Sequence, residues 1–277
     1  MARRLAYLGP PGTFSEEAAL KYDPEAVARP LATISAVVDA AESGAADLAI
    51  VPVENSLEGS VGETLDALVH STRPLLIHDE VIVPIEHHLL VRPGTKESDV
   101  KIVFAHPQSL GQCRSFVEKR FPKAAVEAAL SNSAAVEEMM AHDSAAAIGT
   151  RRAAEIYGAQ TLASGIQDRS PNVTRFAVLA REDHAPTGDD KTSLACAFVV
   201  EDRPGLLVGA LKEFSDRRIN LSKIESRPSK ERLGTYIFLM DVDGHRSQEP
   251  LAEALAHVEQ QCSFFRVLGS YPKYREA

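Results

Sequence analysis

Cysteine is scarce in this chain, and its placement excludes the chemistry it most often serves. Cys113, Cys196 and Cys262 are the three cysteines, widely spaced, without a CxxC pair or a Cys/His ligand spacing. That argues against a disulfide framework and a zinc site and makes them buried thiols. Clusters of Lys or Arg larger than a pair are also missing, and the net charge is -9; neither a nucleic-acid surface nor a polybasic membrane contact is expected. The apolar run after Met1-Ala2-Arg3-Arg4 stops at Gly9-Pro10, too soon for a signal-peptide core, and no run approaches a membrane span. The expected location is cytoplasmic and the expected partner a small molecule.

What is present is a chain of 277 residues with 44% hydrophobic content, enough for two domains with proper cores. Residues 4–9 read as a buried strand, and Pro10-Pro11-Gly12-Thr13 as a turn into a helix in which Thr13 and Glu16 have capping-box spacing. The turn lacks a following Gly-Lys-Ser/Thr, which removes nucleotide binding; it suits a plain cap or an anion cradle equally. A helix over 34–43 and a strand over 47–53 follow, and the strand ends in Glu54-Asn55-Ser56. In open α/β sheets that end of a strand is where ligands bind, although Asn55 and Ser56 also suit a helix cap. Residues 75–90 form a long extended run interrupted by Pro84, the pattern of a crossover into another lobe. Within it His87 and His88 point to opposite faces, one expected to be buried and hydrogen-bonded, the other exposed.

A second α/β unit begins at the strand over 100–105. Its first helix carries Gln108 and Gln112 four apart on one face, and two further strands and helices run to Gly158. Then comes the segment around which the chain is organised, where polar Gln167 to Asn172 feeds into apolar Val173 to Leu179. Thr174 and Arg175 suit an ordinary strand with a surface charge, or a hydroxyl and a guanidinium fork gripping an anion. As the return crossover, this segment is expected to put both at the floor of a cleft between the lobes. A polar linker follows, and residues 192–268 read βαββαβ, the ferredoxin-like order.

Four motifs in sequence, Gly9 to Ser15 (GPPGTFS), Pro52 to Val61 (PVENSLEGSV), His106 to Cys113 (HPQSLGQC) and Asn172 to Phe176 (NVTRF), resemble those of prephenate dehydratases across nearly the whole chain. The C-terminal module is similar to an ACT domain, with its signature at Arg203-Pro204-Gly205-Leu206-Leu207-Val208 and Glu225-Ser226-Arg227-Pro228. The resemblance implies an α/β catalytic domain at 1–182 with a two-lobed, periplasmic-binding-protein-like plan (lobe one 1–79 and 166–182, lobe two 80–165), a linker at 183–191 and an ACT domain at 192–277. It implies a lyase that converts prephenate to phenylpyruvate without cofactor or metal, regulated allosterically by phenylalanine, in a homo-oligomer (dimer or tetramer). Alternatives are arogenate dehydratase and a non-catalytic amino-acid or solute sensor.

By the same resemblance Thr174 is the proton donor. Thr13, Asn55, Ser56, Gln112, Asn172, Arg175 and Phe176 contact or surround the substrate. Gly205, Leu206, Leu207, Val208, Asn220, Leu221, Glu225, Ser226 and Arg227 bind the effector. The chain departs from the family pattern at Ala105 (usually Ser), Asn132 (usually Thr) and Leu206 (usually Ala).

Overall fold

In a computed structural model, residues 2–71, 75–198, 204–230 and 234–275 are described. Arg203, residues 199–200 of the expected strand and 231–233 of the expected turn lie outside them.

Three sheets organise the chain. The first contains β1 (Arg4–Leu8), β2 (Val27–Leu31), β3 (Leu48–Asn55), the two-residue β4 (Gly59–Ser60), β5 (Leu76–Pro84) and β11 (Val173–Ala180), in the order β2-β1-β3-β11-β5 with β4 paired to β3. The second contains β6 (His88–Val91), β7 (Ile102–Ala105), β8 (Ala125–Ala128), β9 (Ala145–Gly149) and β10 (Gln160–Ser164), in the order β10-β6-β9-β7-β8. The chain passes from the first sheet to the second at 85–87 and returns at 165–172, so two crossovers link two α/β lobes. The outward crossover is later than the expected 79/80 boundary, because β5 stays paired with β11 as far as Pro84. The crossovers are stitched together: Ile166 N donates to His87 O at 3.0 Å and Ile85 N to Asn172 O at 2.8 Å.

Helices cover both faces of each of these two sheets. On the first, α1 (Phe14–Tyr22) packs on one side through Ala18 and Ala19 against Leu5, Tyr7, Val83 and Phe176; α2 (Ile34–Ser43) and α3 (Gly62–His70) cover the other. Polar starts and a glycine stop set these boundaries: Thr33 Oγ1 accepts from Ala36 N, and Gly44 ends α2 in the left-handed region. On the second sheet, α4 (Pro107–Gln112) and α5 (Arg114–Arg120) lie opposite α6 (Asn132–Met140) and α7 (Arg151–Tyr157).

The third sheet, β13-β14-β12-β15, is fully antiparallel, from β12 (Asp190–Phe198), β13 (Leu221–Pro228), β14 (Tyr236–Asp243) and β15 (Cys262–Pro272). With α8 (Leu206–Asp216) and α9 (Leu251–Gln260) on one face it is the ferredoxin-like βαββαβ arrangement. Its other face is not free. Ala195, Leu239, Leu268 and Tyr271 join Leu65, Leu68 and Ile77 of the first lobe in one core, and Arg266 Nη1 donates to Leu68, Val69 and Ser71 carbonyls at the end of α3. The C-terminal module is therefore fused to the first lobe rather than tethered beside it.

Gly269 permits that fusion. It has φ +149°, and a Cβ there would stand 2.2 Å from Ile77 O and 2.6 Å from Ile77 N, backbone atoms that cannot turn aside. Gly269→Ala is expected to cost about 3 kcal/mol, read as a lower denaturant midpoint, because β15 must lift off β5. Wild-type stability in that variant would mean the contact is loose.

Candidate active site

Thr174 lies on β11 with Asn55 of β3 on one side and Val83 of β5 on the other. The end of β3 fixes the Asn55 amide. Its Oδ1 accepts from the backbone N–H groups of Leu57 (2.9 Å) and Glu58 (3.0 Å), which turns Nδ2 towards Thr174 Oγ1 (2.9 Å) and Asn172 Oδ1 (2.8 Å). Because Thr174 Oγ1 accepts from Asn55 and donates to no group among the described residues, its own O–H remains free for a ligand. Thr174 is 8% exposed, so that hydrogen bond is poorly screened by water.

The chain of amides continues into the second lobe. Asn172 Nδ2 donates to Gln112 Oε1 at 2.8 Å, and Gln112 Nε2 donates to Glu58 Oε1 at 3.1 Å. His87 Nε2 lies 3.0 Å from the same Gln112 Oε1. Burial pushes the His87 pKa down, against the opposing effect of the Gln112 hydrogen bond, and the neutral ring is favoured. Asn55, Gln112, and Asn172 with Thr174, drawn from three separate stretches, thus meet at one place.

Helix N-termini close the other side. Ser133 Oγ of α6 donates to Pro11 O, and Thr150 Oγ1, the cap of α7, donates to Gly12 O at 2.7 Å. Gly12, at φ +85°, makes this approach possible: a Cβ would fall 2.7 Å from Ser133 Oγ and 3.1 Å from Ala153 Cα. Asn132 occupies its departure position usefully, its Oδ1 accepting from Ser109 Oγ at 2.5 Å. The positive ends of α1 and α6 converge where the lobes touch, a setting that favours an anion. Ala105 is fully buried in β7.

Several expectations need correction. Arg175 is not beside Thr174. Successive residues of a strand face opposite sides, so its guanidinium lies on the face covered by the C-terminal module. There Nη1 is 2.9 Å from Asp241 and 3.5 Å from Glu80, and Nη2 is 3.3 Å from Glu54. Burial opposes its charge, but Asp241, Tyr271, Glu80 and Glu54 outweigh it and its pKa is raised. Phe176, 2% exposed, is on the Thr174 face but covered by α1, so it packs beneath the site rather than touching a ligand. Ser56 ties down the start of β11, its Oγ accepting from Val173 N at 3.0 Å. The Thr13 hydroxyl donates to Pro10 O at 3.0 Å, so its contribution is the helix start rather than a free hydroxyl, and the Glu16 carboxylate takes the Gly12 N–H. His87 and His88, of which one is expected to be exposed, are both buried. Cys113 and Cys196 are buried, but Cys262 only half so.

The effector residues occupy separate places within one chain. Gly205, Leu206, Leu207 and Val208 form the start of α8, with Val208 67% exposed. Asn220 and Leu221 lie past its other end, on an open cavity of ≈ 520 Å³ shared with Leu211, Phe214 and Arg218. The two groups lie at opposite ends of α8, an 11-residue helix about 16 Å long at its usual rise. Alternation along β13 also divides its signature. Lys223, Glu225 and Arg227 face the first lobe: Lys223 Nζ reaches Glu54 (3.0 Å) and Ser60 (2.9 Å), Glu225 accepts from Ser60 Oγ, and Arg227 donates to Gly62 O (3.0 Å) and pairs with Asp66 (3.3 Å). Ser226 is exposed on the opposite face.

Sequence reasoning missed Glu58, Lys223, Ser60 and Asp241. Asp241 carried a usable signal, a charge between the apolar Met240 and Val242 of β14; the others depend on which elements become neighbours. Among the described residues no three His, Cys, Asp or Glu side chains are grouped to hold a metal, and no helix is long and apolar enough to cross a membrane.

Comparison with known proteins agrees with this architecture. The family description "Prephenate dehydratase" matches residues 5–184 and "ACT domain" matches 196–259. A bifunctional chorismate mutase/prephenate dehydratase of Aquifex aeolicus is 42% identical over 98% of this chain and 74% of its own length. Arogenate dehydratase 5 of Arabidopsis thaliana is 40% identical over 97% of this chain and 67% of its own. Among solved structures, the prephenate dehydratase of Arthrobacter aurescens in complex with L-Phe is 37% identical, with a TM-score of 0.89 covering 98% of this chain and 90% of that one. The chain belongs to the prephenate dehydratase family, with an ACT domain at its C-terminal end.

Proposed function

We infer that this chain catalyses the decarboxylating dehydration of prephenate to phenylpyruvate, as a lyase of phenylalanine biosynthesis. The observation that carries the reading is the polarity of the hydrogen bonds at Thr174, whose oxygen accepts from Asn55 while its proton stays uncommitted in the cleft. Prephenate carries two carboxylates and a ring hydroxyl. As the ring carboxylate leaves as CO2, the electron pair of the broken C–C bond enters the ring and the C–O bond to the hydroxyl breaks. The departing oxygen takes a proton and leaves as water, and the ring becomes aromatic. Thr174 is the donor to that oxygen, and the Asn55 N–H stabilises the charge that then builds on Oγ1. A threonine hydroxyl is a weak acid, so its contribution is a hydrogen bond that strengthens as the C–O bond breaks.

The carboxylates are held by the N-termini of α1 and α6 rather than by Arg175, and Gln112 and Asn172 position the ring substituents. Contact between the lobes excludes water and strengthens each of these interactions. The proposed domain division is a catalytic unit at 1–182, a linker at 183–191 and an ACT domain at 192–277, with β12 starting inside the linker at Asp190. A cytoplasmic location and a homo-oligomer, a dimer or tetramer, belong to the same proposal. Effector residues split between the two ends of α8 suit a phenylalanine site completed by a second copy.

Phenylalanine acts through β13. Its Lys223 grips Glu54 and Ser60, which flank the Asn55 turn, so a displacement of β13 reaches the amide that holds Thr174. Lys223→Ala is expected to leave uninhibited turnover within about threefold and to weaken the phenylalanine response by at least about fivefold, the low end of allosteric coupling. An unchanged response in that variant would place the coupling elsewhere.

Phenylpyruvate formation from prephenate, with arogenate in parallel and phenylalanine added to each, tests the whole reading. Turnover of prephenate is the expected result. Faster turnover of arogenate would support the reading that the Arabidopsis relative favours, and turnover of neither would overturn both.

A further inference from the structure

His87 is buried at 2% exposure on the outward crossover, and nothing in the proposed reaction uses it directly. Its surroundings determine its protonation. The backbone N–H groups of Leu57 and Glu58 fix the Asn55 amide, Asn55 Nδ2 fixes Asn172, and Asn172 Nδ2 fixes Gln112 with Oε1 inward and Nε2 on Glu58. Gln112 Oε1 can only accept, so the His87 nitrogen 3.0 Å from it must be the one carrying hydrogen. The bare nitrogen, Nδ1, is buried without a partner among the described residues. The ring is also held in place: Phe14 meets it edge-on at 5.7 Å, His87 N donates to Gln167 Oε1 at 3.1 Å, and His87 O accepts from Ile166 N at 3.0 Å. Both crossovers and the first residue of α1 therefore meet at this one residue, the return crossover through its backbone and Phe14 through its ring.

We propose that His87 is a positioning residue for the dehydration, a neutral imidazole whose Nε2–H holds the Gln112 amide in the one orientation that completes the hydrogen-bond chain to Thr174. It touches Gln112 and not the substrate, and it ties the geometry of the cleft to the crossovers about which the lobes are joined. The proposal rests on the prephenate reading above.

The test compares the full-length chain with His87→Gln, whose amide nitrogen falls near the imidazole Nε2, and His87→Phe, which keeps a ring against Phe14 but has no donor. The readouts are kcat, KM and thermal midpoint, with prephenate as substrate. His87→Gln is expected to keep kcat within about threefold. His87→Phe is expected to lose about tenfold in kcat, the value of one buried hydrogen bond, with KM within about twofold. If His87→Phe does not fold, His87→Met carries the same expectation. Wild-type kcat in the donorless variant, or equal impairment of the Gln and Phe variants, overturns the proposal. A wild-type chain that leaves prephenate untouched removes the functional reading and this proposal together, whereas normal wild-type turnover with an unimpaired His87→Phe removes the proposal alone.

Discussion

Thr174→Ala is expected to lower kcat for prephenate by at least about 10²-fold, the low end of what a positioned proton donor contributes, with little change in KM. The expectation follows from the geometry around one atom. Oγ1 accepts from Asn55 Nδ2 at 2.9 Å, the same nitrogen holds Asn172, and no carboxylate or carbonyl competes for the Thr174 proton among the described residues. Alanine removes the donor while Asn55 Nδ2 keeps Asn172 Oδ1 and Val173 O as acceptors, and it removes nothing that grips the carboxylates, so binding should survive. A rise in KM at unchanged kcat would instead make Thr174 a binding residue.

Arg175→Ala is expected to act mainly on stability, lowering it by about 3 kcal/mol while KM for prephenate stays within about threefold. The Arg175 side chain is 14% exposed and ion-paired with Asp241 at 2.9 Å, inside a cluster that includes Glu80, Lys191 and Glu54. Breaking a buried pair strands the remaining charge, which is why its removal costs far more than a surface bridge would. The loss is moderated because Asp241 retains Ser193 Oγ at 2.6 Å and Glu80 retains Lys191 at 2.7 Å. Denaturant midpoints and steady-state kinetics on the same preparation decide the matter. A tenfold rise in KM with unaltered stability would return Arg175 to the substrate.

The contrast between these neighbours shows what the sequence could and could not reveal. That residues 172–176 belong to the return crossover was legible from the switch between polar and apolar runs, and Thr174 does join the amide chain that runs between the lobes. Alternation along the strand was equally legible, and it forbids Thr174 and Arg175 from sharing a face. The pair suits a hydroxyl-guanidinium grip by chemistry alone, and the alternation of the strand overrides that fitness. The two lobes and the βαββαβ module followed from short-range patterns that are nearly self-contained. The interface between them did not, because Ala195, Leu239 and Leu268 read as one half of an ordinary sandwich until their partners in the first lobe are known. The boundary at 183–191 likewise read as a spacer, yet Asp190 is 3% exposed and accepts from Thr187 N and Gly188 N, ordering the turn into β12. The amide chain was legible only as separate members. Its direction depends on the Leu57 and Glu58 N–H groups, which sequence alone does not aim.

Turnover of prephenate by Thr174→Ser and Thr174→Val, measured side by side with the wild-type chain, tests the central claim most directly. Serine keeps a hydroxyl within reach of Asn55, whereas valine fills the same volume without one. The serine variant should retain most of the wild-type kcat, within about tenfold, and the valine variant should fall at least about 10²-fold. Wild-type turnover by the valine variant would contradict the assignment of Thr174 as the donor to the departing hydroxyl.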